Sequence, residues 1–295
     1  MVRLALKIFC RNLTVNNREA LQKRGSLLLV ANHPNSFLDA IIIGSQCRHK
    51  VHFLARGDAF NKAWHSKLLR LLNMIPVYRL SEGKENLFLN ETAFSRSKEI
   101  LSENGIVLIF IEGICVHKHE LQPFKKGAAR IAMDCRDIPG FTIMPLGIAY
   151  DSFERFGKQI NINVGEAVEA KSILPYEDPA QNFRYFNTVL YEEISKRVVF
   201  PAKKESKSSG PLLFSGRLGE ILHTPLYRLL RNAIRKKTEG TVFFDSVLFG
   251  SLLIMYPLYL LLLGLLLCSL GIPLWVTVII LFLHPLTAWC AVHER

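Results

Sequence analysis

An α/β domain, with a mostly parallel sheet flanked by helices and a transmembrane helical hairpin after it, is the architecture this 295-residue sequence predicts. Three observations carry it. Between residues 20 and 200, short β-branched or leucine-rich runs alternate with longer amphipathic stretches, the rhythm of strands wound through helices. From Ser246 to Val292 there is no Asp, Glu, Lys or Arg, a run long enough for two crossings of a hydrocarbon core that needs about 20 helical residues each. Hydrophobic residues make up 49% and charged ones 21%, with mean hydropathy +0.20, which excludes a disordered chain and is high for a wholly soluble enzyme.

Taken in order, residues 1–19 are expected to form an amphipathic interfacial segment. Arg3, Lys7 and Arg11, at four-residue spacing, share one helical face, and Leu6, Phe9 and Leu13 occupy another. The same cations interrupt any signal-peptide core. The α/β domain is placed at 20–200, with strands at 27–31, 51–54, 106–111, 141–149 and 160–164. Helices are predicted at 37–47, 59–72, 84–102, 127–135 and 179–199. Residues 201–245 form a basic linker and membrane-proximal helices, and the Ser/Lys/Gly-rich part, 202–216, predicts a mobile connection. The hairpin takes 246–295, with spans at 247–268 and 274–292 parted at Ser269-Leu270-Gly271-Ile272-Pro273, because Gly and Pro punctuate helices. A re-entrant hairpin broken at Pro257, Gly264 and Pro285, or a buried core hairpin, are the alternatives.

The charge balance, 37 Lys and Arg against 25 Asp and Glu for a net +12, points to an anionic partner. Much of the excess lies just before the hairpin, where Lys203, Lys204, Lys207, Arg217, Arg228, Arg231, Arg235, Lys236 and Lys237 face only Glu205 and Glu220. Basic residues beside a span stay cytoplasmic and attract anionic membrane lipids, so no nucleic acid is needed to explain them. The six cysteines form no Cys-x-x-Cys pair, which argues for reduced thiols rather than a disulfide framework or zinc knuckle. His117-Lys118-His119 lacks a third ligand at suitable spacing, and no metal or cofactor is expected.

In open α/β sheets a ligand sits beyond the carboxyl ends of the strands. Asn32-His33-Pro34-Asn35-Ser36-Phe37-Leu38-Asp39 follows the strand at 27–31, and Glu112-Gly113 follows the one at 106–111. Met144-Pro145-Leu146-Gly147 is expected to turn the chain near the same rim. A carboxylate on one imidazole nitrogen leaves the other as a base, so His33 with Asp39 can take a proton from a hydroxyl that attacks a carbonyl, without a side-chain nucleophile. Ser36 to Asp39 equally fits a capping box, with Ser36 as N-cap and Asp39 reaching back to its amide. Lys125 and Lys126, immediately before the glycine that opens a helix, can hold a phosphate together with its amides, or can simply form a solvated turn. No Gly-x-Ser-x-Gly elbow is present for a serine esterase.

These pieces resemble, in order, the lysophosphatidate and glycerol-3-phosphate acyltransferases. The blocks are Asn32-His33 to Asp39, Val77-Tyr78-Arg79, Phe110-Ile111-Glu112-Gly113 continuing to Phe124-Lys125-Lys126-Gly127, and Met144-Pro145-Leu146, between Ser26 and Val164. The resemblance implies a glycerophosphate acyltransferase-like fold with His33 as general base, Asp39 orienting it, and Arg79, Glu112 and Gly113 positioning the acceptor. Lys125 and Lys126 are added from their charge as phosphate partners. The donor it implies is acyl-CoA or acyl-carrier protein. The implied acceptor is a lysophospholipid or glycerol phosphate, and the implied place is the inner membrane, with the catalytic domain and both termini cytoplasmic. The chain departs from the family twice. Five residues separate His33 from Asp39 where four are usual, as in a subset that includes some glycerol-3-phosphate acyltransferases. Glu112-Gly113 continues as Ile114-Cys115 where Thr-Arg is usual, which leaves room for a less charged acceptor such as a lyso-aminolipid. A catalytically silent lipid-binding protein of the same fold is the alternative from another class.

Overall fold

The computed structural model describes residues 1–78, 88–202 and 210–293. The chain opens with α1 (Val2–Phe9), β1 (Cys10–Asn16), β2 (Leu27–Ala31), α2 (Ser36–Gln46) and β3 (Val51–Arg56). It continues through α3 (Ala63–Leu71), β4 (Met74–Val77), α4 (Leu89–Ser102), β5 (Ile106–Phe110) and α5 (Gly127–Cys135). Then follow β6 (Thr142–Tyr150), β7 (Lys158–Val164), β8 (Val168–Glu169), α6 (Pro179–Arg197), α7 (Gly210–Thr238), α8 (Phe244–Ser269) and α9 (Leu274–His293).

The sheet is ordered β1-β7-β6-β2-β5-β3-β4, with β8 beside β6. Every pairing is parallel except those of β6 with β7 and with β8. The sequence of β2 explains its central position. All five of its residues are buried, and because successive side chains point to opposite faces, Leu27, Leu29 and Ala31 enter one core while Leu28 and Val30 enter the other. A strand apolar on both faces needs helices on both faces. On one side these are α1, α2 and the first turns of α8, through Leu6, Phe9, Leu38, Ile42, Leu248 and Phe249. On the other they are α4, α5 and α6, through Phe94, Leu101, Ile131, Phe186 and Ile194.

Several boundaries differ from expectation. Leu6 and Phe9 are buried in the domain core, so α1 lays its apolar face on protein, and residues 10–16 leave the helix to pair in parallel with β7. The expected helix at 59–72 divides into a 3-10 turn (Gly57–Phe60) and α3. The first residues of the helix expected at 84–102 lie outside the described residues, and α4 begins at Leu89. Met144 to Gly147 do not turn; they run through the middle of β6. Pro145 is tolerated there because β6 pairs with β8 only at 142 and 143 and with β7 only from 146, so its missing N–H falls in a gap of the ladder. From Gly210 onward the expected mobile connection is helix α7, which packs along α9 and α8.

Helices α8 and α9 match the two expected spans, with mean hydropathies of 2.3 and 1.9. Only 6% and 22% of those stretches are buried, so most of both helices faces away from protein, unlike a core hairpin. Pro257 and Pro285 lie inside continuous helices and break neither. A Cβ on Gly264 would meet Leu281 at 3.0 Å, a close approach that a glycine permits between the two helices.

Candidate active site

His33 leaves the end of β2 and turns back so that its Nδ1 lies 2.9 Å from Asp39 Oδ2. Asp39 is fully buried, while the His33 side chain is 19% exposed. The imidazole lies parallel to the Phe110 ring at 3.8 Å, which fixes its plane from below. The other ring nitrogen, Nε2, has no hydrogen-bond partner among the described residues. An Asp39 carboxylate that accepts from Nδ1–H leaves the Nε2 lone pair facing outward, the arrangement of a base.

Asp39 serves as cap and partner at once. The Asn35 N–H donates to the same Oδ2 at 2.8 Å, so the carboxylate does reach back over the first turn of α2, with Asn35 rather than Ser36 as N-cap. Oδ1 accepts from the Tyr150 hydroxyl at 2.5 Å. Burial, with the carboxylate beside it, pushes the Tyr150 phenol well up, which keeps its proton in place as a donor. Asn32 fixes the loop's root by bonding across to β6, donating to Ile148 O at 2.9 Å and accepting from Ile148 N at 2.8 Å. Ser36 has a φ of +51°, a left-handed conformation uncommon for a residue with a side chain, and its N–H donates to Cys115 Sγ at 2.9 Å. Burial pushes the Cys115 thiol up to about 12, so it stays protonated and is a poor nucleophile.

Glu112, also buried, accepts from His33 N and from Gln122 N, both at 3.2 Å. Burial pushes its carboxyl up, and those two amide bonds oppose the shift. The carboxylate therefore ties the His33 loop to the segment after β5. Gly113 has a φ of +64°, and a Cβ there would meet Lys125 Cγ at 2.8 Å. Lys125 thus lies against the Glu112-Gly113 turn, whereas the Lys126 ammonium sits 5.6 Å from the ring centre of Phe183 on α6. Arg79 lies outside the described residues. Its neighbour Tyr78 is held by Asn90, which accepts from Tyr78 N at 2.7 Å and donates to Tyr78 O at 2.8 Å.

Two residues that sequence reasoning passed over reach this loop from the start of α8. Asp245 accepts from Asn35 Nδ2 at 2.8 Å, and Ser246 Oγ accepts from Leu38 N at 3.0 Å. Asp245 also pairs with Lys158 of β7, and both are fully buried. Lys158 donates in addition to Phe153 O at 2.8 Å. Burial pushes the Lys158 ammonium down, opposed by Asp245. The one available signal was a single carboxylate standing at the threshold of the charge-free run. Tyr150 gave no signal, since nothing in a strand's pattern marks a hydroxyl that bonds a residue more than a hundred positions earlier. Among the described residues no group of three His, Cys, Asp or Glu could hold a metal ion.

Residues 12–149 match the family model described as Acyltransferase. Among solved structures, the chain is similar to the 1-acyl-sn-glycerophosphate (LPA) acyltransferase PlsC from Thermotoga maritima, with 19% identity, a TM-score of 0.46, and 66% of this chain and 74% of that one covered. No curated protein matches the chain.

Proposed function

We propose, starting from the match of residues 12–149 to the Acyltransferase family model, that this chain is a membrane-held O-acyltransferase of phospholipid synthesis with His33 as its general base. The observation that supports this most is the buried Asp39 carboxylate on His33 Nδ1, with Nε2 unpartnered among the described residues. Nε2 takes the proton of the acceptor hydroxyl as its oxygen attacks the thioester carbonyl. The C–O bond forms, the C–S bond breaks, and the imidazolium returns the proton to the departing thiolate. General base help of this kind is worth about 10² to 10⁴ in rate. Holding both substrates in line supplies a further large share.

The donor is an acyl-CoA or acyl-carrier-protein thioester, and the acceptor is lysophosphatidate or glycerol 3-phosphate. Lys125 and the Glu112-Gly113 turn, together with Arg79, would meet the acceptor's polar end. Lys126, against Phe183, is less well placed for that task. The second reading, an acceptor with less charge, is favoured by Cys115, whose thiol occupies the site loop two residues after Gly113 and carries no positive charge. The apolar hairpin would hold the domain on the cytoplasmic face of the inner membrane, where the basic stretch before it meets anionic lipids.

Purified enzyme given a labelled acyl donor and a panel of acceptors, with products read by mass spectrometry, tests the substrate. Product from lysophosphatidate or glycerol 3-phosphate is expected, and product from a non-phosphate acceptor alone removes phosphatidate synthesis. His33→Ala and Asp39→Asn are each expected to lower kcat by about 10² to 10⁴ without unfolding the protein. Unchanged turnover in folded His33→Ala would place the base elsewhere or favour a silent lipid-binding role.

A further inference from the structure

Helix α3 leaves its apolar side uncovered. None of its residues is buried, and Trp64, Leu68 and Leu71, at i, i+4 and i+7, line up on one face with 64%, 49% and 79% exposure. Leu72 extends the stripe. The domain is met by the other side of the helix, through the half-buried His65, Ser66 and Leu69. Lys62, Lys67 and Arg70 stand exposed beside the stripe. Each large apolar side chain left in water forgoes the gain of burial, so three lined up on one short helix call for a cover. An indole and leucines flanked by cations match the boundary between acyl chains and anionic headgroups. That chemistry favours a lipid surface.

The position agrees with that occupant. Strands β2, β5 and β3 are parallel neighbours, so their carboxyl ends share one rim. His33 leaves that rim from β2, the start of α8 reaches it through Asn35 and Leu38, and α3 starts on that side after β3 and runs back beside β4.

We propose that α3 is a second membrane contact, lying in the plane of the leaflet with Trp64, Leu68 and Leu71 at the acyl boundary and Lys62, Lys67 and Arg70 among lipid phosphates. This rests on the reading of α8 and α9 as membrane-inserted. Two separate footings, α3 and the hairpin, turn the rim that carries His33 toward the leaflet, so that an acceptor hydroxyl can be acylated at the surface without being drawn out of it.

The chain has three tryptophans, at 64, 275 and 289, which permits a direct test. Full-length protein keeping one tryptophan at a time, the others changed to Phe, is reconstituted into vesicles of phosphatidylcholine and phosphatidylglycerol that carry a nitroxide near the headgroup or at the chain end. Trp64 is expected to be quenched by the headgroup-proximal nitroxide and shielded from aqueous iodide. Trp64 open to iodide while Trp275 is quenched by lipid overturns this inference and leaves the hairpin reading standing; Trp275 unquenched as well overturns both. Shielding of Trp64 that vanishes on dilution of protein in lipid assigns the stripe to a second copy and also overturns it. Leu68→Asp with Leu71→Asp is expected to slow acylation of a vesicle-borne acceptor by about tenfold or more, with turnover of detergent-dispersed acceptor little changed. Equal loss in both settings, or no loss in vesicles, contradicts the proposal.

Discussion

Asp39 carries three hydrogen bonds on two oxygens, and each comes from a different part of the chain: a loop imidazole, a helix-capping amide and a strand phenol. A carboxylate without solvent contact is tolerated only when it is bonded in this way. Removing one donor is therefore informative. Tyr150→Phe is expected to lower stability by about 1.5–3 kcal/mol, as for a hydrogen bond to a charged group, and to lower kcat while KM stays the same, because Asp39 loses a restraint on its alignment with His33. Denaturant unfolding and steady-state kinetics check both, and an unaltered kcat would show that the phenol serves the fold alone. The His33 and Asp39 partnership was legible in the sequence because both lie within one loop and helix turn. The competing capping explanation of Asp39 was off by one residue: the carboxylate reaches back over the first turn, but to the amide of Asn35 rather than of Ser36. Glu112 shows a limit of the same reasoning: its place after β5 was visible, but not that both its oxygens would be taken by backbone amides, one of them that of His33.

At the scale of elements, strands with apolar runs were legible, and those held by partners far along the chain were not. Leu27–Ala31 and Ile106–Phe110 announce themselves by composition. Cys10–Asn16 is half polar, sits at the sheet's edge and contains Arg11, the third of three cations at helical spacing, so its pairing with β7 could not be read locally. Met74–Val77 is four residues with a proline, tolerable at the opposite edge. The junction of α8 with the site loop was invisible for a related reason, since the apolar run hides that its first turn is domain core. Changing Asp245 to Asn is expected to cost about 3–5 kcal/mol, because Lys158 keeps its burial and loses its counter-charge. Ser246→Ala removes only the acceptor for Leu38 N, and is expected to cost about 1 kcal/mol and to reduce kcat. Full activity in a folded Ser246→Ala protein would mean that α8 supports the loop's position but not its alignment.

For the molecule as a whole, half-buried imidazoles set how acid is tolerated. Burial pushes His52 and His117 below their ordinary value of 6.5. The unfolded chain then takes up these protons first, so their contribution is complete above 6.5 and is lost as pH falls through the lowered folded values. The thermal midpoint in detergent is expected to drop across that window, and His52→Gln with His117→Gln to flatten the drop; a parent midpoint level over the same range would contradict it. The buried pair of Lys158 and Asp245 reaches further, into how the chain is made. A ribosome releases Lys158 well before Asp245, so the nascent domain carries an ammonium without its counter-ion, and Asn35 lacks its tether, until the last helices emerge. Completion of the histidine loop thereby waits on the same segment that begins the two long apolar helices, the last part of the domain core to be made.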